Sequence, residues 1–149
     1  PREPFGLFNP HPDTHMTTNY LTRDHFGMYA DNTLGGPGPE LMGANTLLGN
    51  HVSNLAGDSL GEIKEFMIDM ATGKVAYAVL SFGGLLGLGD KLFAVPWSAL
   101  TLDTINKRFT LSVSVEALKE APGFDKECWP SMTDKAWAGG VHKFYGTTF

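Results

Sequence analysis

Residues 75–82 read VAYAVLSF. Successive side chains of a strand point to opposite faces, and here both alternating sets are apolar or β-branched. A strand that is apolar on both sides must be covered on both sides, so this run predicts the central strand of a sheet. Its flanks agree. ATGK (71–74) predicts a tight hairpin turn, with Gly73 at positive φ. SLGEIKEFMIDM (59–70) alternates through Ile63, Phe66, Ile68 and Met70, and the slip between 63 and 66 predicts a bulge. KLFAVPW (91–97) predicts another strand. Pro96 has no N–H for a ladder, so it marks that strand's end or an edge.

Residues 100–113 predict a hairpin with Phe109, Leu111 and Val113 inward and Thr110 and Ser112 outward. TLLGNHVSN (46–54) predicts a first strand, followed by a turn at Ala56-Gly57-Asp58. SVEALKEAPGF predicts a short helix capped by Ser114, begun by Glu116 and Ala117, and stopped by Pro122-Gly123. Five or six short strands joined by hairpins predict an all-β fold, a small antiparallel barrel, because closing the sheet removes exposed edges. The last stretch, DKECWPSMTDKAWAGGVHKFYGTTF, reads as mostly irregular. Its Trp129, Trp137, Phe144 and Tyr145 would cap an open end of the barrel or dock on a partner.

Residues 1–43 differ from the rest. Proline fixes φ and glycine frees it, so PREPFGLFNPHPDTH and DNTLGGPGPELMG do not hold a helix or a ladder. Yet the stretch carries Phe5, Phe8, Tyr20, Phe26 and Tyr29, more aromatics than a solvated linker needs. The organisation is therefore an extended N-terminal arm, 1–43, and a barrel domain, 44–145. The arm is expected to pack on its own domain or on a neighbouring subunit.

Composition narrows the function classes. The 149 residues carry a net charge of -5 and scattered basic side chains, which argues against nucleic acid as a partner. The single cysteine, Cys128, excludes an intramolecular disulfide framework and a cysteine-based zinc site. No apolar run is long enough for a membrane-spanning helix, although association with a membrane complex stays open. The chain starts at Pro1 rather than Met, which leaves removal of an earlier start open; a cytoplasmic location is the expectation, and export if the missing N-terminus was a signal peptide.

The glycine loop SFGGLLGLGDK resembles a phosphate cradle at first sight. Gly84 and Gly89 have the spacing, but Asp90 precedes Lys91 and Leu92 stands where a magnesium-binding hydroxyl belongs. It also leads into a strand, whereas anion sites use a helix N-terminus. It therefore reads as a hairpin tip whose Leu85, Leu86 and Leu88 either fold over the barrel mouth or form a contact patch. His11 and His15 sit in a proline-rich context that supplies little rigidity for a metal. Cys128 reads as a buried inert thiol, His51 and His142 as isolated surface or rim residues, and Trp97 as core. The carboxylate pairs Glu62/Glu65 and Asp125/Glu127 read as solvated charge. No catalytic set, cofactor or metal is expected.

Gly57-Asp58-Ser59-Leu60-Gly61, Asp69-x-x-Thr72-Gly73, Tyr77-Ala78-Val79 and Phe93-Ala94-Val95-Pro96-Trp97 together resemble the PRC-barrel family, and APGFDKECWP is similar to its stand-alone branch. The resemblance spans about 44–145. It implies an assembly or adaptor module with no catalytic residue set. The expected function is non-enzymatic binding of protein subunits, with self-assembly into an oligomer or larger complex. Phe5, Phe8, Tyr20, Phe26, Tyr29, Leu85, Leu86, Leu88, Trp129 and Trp137 are its candidate contact residues. The alternatives implied by relatives are an accessory subunit of a photosynthetic reaction centre and a ribosome- or RNA-maturation-associated factor.

Overall fold

The computed structural model describes residues 42–83, 91–103, 106 and 108–148. Within them run α1 (Ala44–Leu47), β1 (His51–Ser53), β2 (Ser59–Ile68), β3 (Val75–Phe82), β4 (Lys91–Pro96), a 3-10 turn at Trp97–Ala99, β5 (Leu100–Asp103), β6 (Arg108–Leu111), α2 (Val115–Glu120), β7 (Phe124–Asp125) and α3 (Lys135–Tyr145). The strands form one seven-stranded sheet in the order β5-β6-β1-β2-β3-β4-β7.

β3 is central, as its two apolar faces require. Ala78 and Leu80 point into an inner cluster with Val52, Leu60, Ile63, Phe93, Val95, Phe109, Leu111 and Leu118. Tyr77 and Val79 point the other way, into an outer cluster with Leu92, Ala94, Phe124 and Val141. β4 divides its side chains between the same two clusters. α2 closes the inner one with Leu118, and Ser114 caps it by accepting from Ala117 N at 3.0 Å. The predicted bulge is present, with the β2–β3 register shifting between Ile63 and Glu65. Gly73 in the hairpin has φ 74°.

β2 crosses β3 closely near its start. Gly61 has φ 114°, and a Cβ there would collide with the Ser81 carbonyl. Glycine is thus the residue that lets the two backbones meet.

Three expectations need correction. The sheet is open and not wholly antiparallel: β1 and β6 pair in parallel, and β5 and β7 are left as edges. The first strand is shorter than the apolar run suggested. Residues 44–47 make one helical turn (Leu48 N to Ala44 O, 3.0 Å) that drives Leu47 into the core, and Gly49 at φ 76° then breaks the path before β1. In the β2 run, Ile68 and Met70 are exposed beyond a second register shift between Met67 and Ile68. The C-terminal segment is not irregular. It holds α3, capped by Asp134, whose Oδ1 accepts from Ala136 N at 2.8 Å and Trp137 N at 3.1 Å. Gly146, at φ 69°, ends the helix in the left-handed conformation.

Candidate interaction surface

Pro96 stops β4, and the chain turns at once through Trp97–Ala99 into β5. That corner sets Trp97 edge-on to Phe66 (5.8 Å between centroids, 80°) and to Phe109 (5.8 Å, 64°). Trp97 is therefore not core: 36% of it stays in contact with solvent, over two rings that are more deeply set. Ile68 lies at the end of β2, past a second register shift between Met67 and Ile68, and is half exposed. Met70, 89% exposed, stands in the hairpin turn just beyond. The turn is held by Asp69, whose Oδ1 accepts from Ala71 N at 2.9 Å. Hydrogen bonds from the Ala71 backbone and the Thr72 side chain hold its carboxyl below the usual range. A fixed turn thus presents an apolar side chain to water, and Trp97 separately presents a ring to solvent, the residue types of which contact surfaces are built.

Next to this corner lies a bare sheet edge. β5 pairs with β6 through Leu100↔Leu111, Thr101↔Thr110, Leu102↔Phe109 and Asp103↔Arg108, and has no partner strand on its other side among the described residues. Asp103 and Arg108 close the hairpin with a 3.7 Å ion pair.

The opposite side of the domain is a packed junction. α3 lies against β4. Trp137 packs edge-on to Tyr77 at 5.5 Å, so it serves its own domain's outer cluster. His142 is buried, contrary to expectation. Its Nε2 lies 3.3 Å from the Tyr77 hydroxyl and its Nδ1 2.7 Å from Thr147 Oγ1. Burial lowers the affinity of His142 for a proton and raises that of the Tyr77 phenolate. Both groups are thereby kept neutral, as a hydrogen-bonded clasp between helix and sheet requires.

Trp129 stands apart. Its Nε1 donates to Lys126 O at 2.8 Å and its ring meets Phe124 at 5.0 Å, yet 44% of it is exposed. Cys128 beside it is exposed rather than buried, because the segment is a turn after the two-residue strand β7. β4 begins at Lys91, so the glycine loop does lead into a strand, and the Lys91 ammonium sits 5.5 Å over the Phe93 ring. Phe5, Phe8, Tyr20, Phe26, Tyr29, Leu85, Leu86 and Leu88 lie outside the described residues, as do His11 and His15.

The structure thus brings none of the described contact candidates together. Trp129 and Trp137 occupy different settings, and exposed apolar side chains also stand at Ile68, Met70 and Trp97, the last of which sequence reasoning placed in the core. The available signal was the position of Met70 in a turn and of Trp97 just after a strand-ending proline. Among the described residues, no helix is long and apolar enough to cross a membrane. No curated protein matches the chain. A family model, PRC-barrel domain, matches residues 39–118, which run from before α1 into α2. With more than half its length matched and the quoted motifs in place, the chain belongs to the PRC-barrel domain family.

Proposed function

We propose that the protein is a non-enzymatic assembly module that binds other protein subunits through its sheet domain and its N-terminal arm, and that it self-associates. The observation that carries this reading is the half-exposed Trp97, stacked edge-on over Phe66 and Phe109 at the start of β5, a strand with no partner on its outer side among the described residues. A tryptophan over a packed ring pair supplies contact area at little entropy cost. An unpaired edge supplies backbone donors and acceptors in a row.

The arm contributes aromatic anchors. Each fully buried ring contributes on the order of 2 kcal/mol. Ordering the backbone costs about 1–2 kcal/mol per residue. Rings alone therefore do not hold a long arm in place, and backbone hydrogen bonds must join them.

Size-exclusion chromatography with light scattering tests the reading on the full chain and on a form lacking residues 1–41. The full chain is expected to elute as an oligomer and the shortened chain as a smaller species. Two monomers would refute self-association through the arm.

A further inference from the structure

The two apolar clusters have separate closures. The inner one draws its buried members from the stretch between Leu47 and Ala121, and α2 closes it. The outer one sets Tyr77, Val79, Leu92 and Ala94, on the far faces of β3 and β4, against Phe124 and Val141. Phe144 and Tyr145 of α3 reach the inner cluster at its margin, where they are partly buried. Removing α3 therefore strips the outer cluster and leaves the inner one closed.

α3 holds its place by a narrow margin. Its 11 residues are too few for a helix to persist alone in water, so it is helical while it is docked. Gly139 and Gly140 stand in its middle, where each weakens the helix relative to alanine. Packing does not ask for glycine at 140, which is exposed and where a Cβ would meet open space among the described residues. The Tyr145 hydroxyl is buried without a hydrogen-bond partner. That penalty belongs to the docked state, because water satisfies the hydroxyl once the helix leaves. Against these costs stand the burial of Ala138 and Val141, the Trp137 ring on Tyr77, and the contact of His142 with the Tyr77 hydroxyl, which at 3.3 Å is long for a hydrogen bond.

We propose that α3 is a detachable cover, which leaves the outer faces of β3 and β4 and unfolds as one unit while the inner cluster stays intact. The open form presents Val79, Leu92 and Ala94, otherwise sealed beneath Val141, to solvent. Such a unit has its own opening free energy, smaller than that of the whole domain. The opening is a property of one chain and does not depend on assembly at β5.

Native-state hydrogen exchange across a series of low urea concentrations tests it on the full chain. The Val141 and His142 amides of α3 are expected to exchange at least about tenfold faster than those of Ala78 to Leu80 in β3, after correction for intrinsic rates. They are also expected to share one urea dependence, smaller than that of β3, because a partial opening exposes less surface. Gly140→Ala is expected to slow exchange in α3 several-fold. Ile63→Val, in the inner cluster, is expected to speed exchange in β3 several-fold and to leave α3 unchanged, because the inner cluster is intact when the cover is open. Equal protection and equal urea dependence in the two sets overturn the proposal. So does α3 exchange with no urea dependence, which marks fraying of single residues. An Ile63→Val chain whose α3 amides speed up as much as those of β3 also overturns it, since helix and sheet then unfold together.

Discussion

At one edge of the sheet β4 is flanked by β7 and by α3; at the other, β5 ends the sheet with no strand or helix packed beyond it among the described residues. The covered edge uses several devices at once. β7 is only two residues long, Pro96 removes a donor from the end of β4, and α3 seals Val79, Leu92 and Ala94 with Val141. The bare edge has none of these, and a tryptophan stands at its start. The covering elements β7 and α3 lie outside residues 39–118, the part that matches the family. Among the described residues one edge is covered by elements that lie beyond the matched range, and the other edge is not covered.

The comparison breaks most severely at the strand both edges depend on. Gly61→Ala places a Cβ against the Ser81 carbonyl at a positive φ. It is expected to cost about 3 kcal/mol or more, with loss of the cooperative thermal transition in circular dichroism. Val141→Ala acts on the covered edge alone. Deleting two buried methyl groups from the outer cluster is expected to cost about 2 kcal/mol in urea unfolding, while the association state read by light scattering stays unchanged. Asp134→Ala removes the cap of α3 and is expected to cost about 1 kcal/mol, again without effect on association.

The smallest effect is a pH profile. Burial holds His142 below its ordinary value of 6.5, so the native form is neutral and the unfolded chain takes up the proton first as pH falls. Its contribution is fully present above the unfolded value and is lost as pH falls through the folded one. Melting temperature is therefore expected to decline on acidification below about pH 6.5. His142→Gln should flatten that decline. An unchanged slope would show that the clasp does not sense the proton.

Much of the sheet was legible because strand physics is local. VAYAVLSF announced a strand covered on both sides, and the turn at Gly73, the bulge after Ile63 and the cap at Ser114 each followed from a few residues. What was not legible depended on long-range placement. Nothing near His51 says that β1 pairs in parallel with β6, since their register, Val52↔Phe109, spans the whole domain. α3 did carry a signal, Asp134 followed by Trp137, Ala138, Val141, Phe144 and Tyr145 at helical spacing. Gly139-Gly140 and the surrounding prolines and tryptophans obscured it, and packing on β4 outweighs the poor propensity of the glycines. The candidate surface was misread for the same reason. Whether Trp97 or Ile68 faces core or solvent is decided by where the sheet stops.

Residue-resolved hydrogen exchange at Leu102 tests the central claim most directly. In the full chain at a concentration where it is oligomeric, this amide is expected to be protected, and to exchange freely once the chain is diluted to monomer or residues 1–41 are removed. A Leu102 amide that exchanges equally fast in oligomer and monomer would contradict the account.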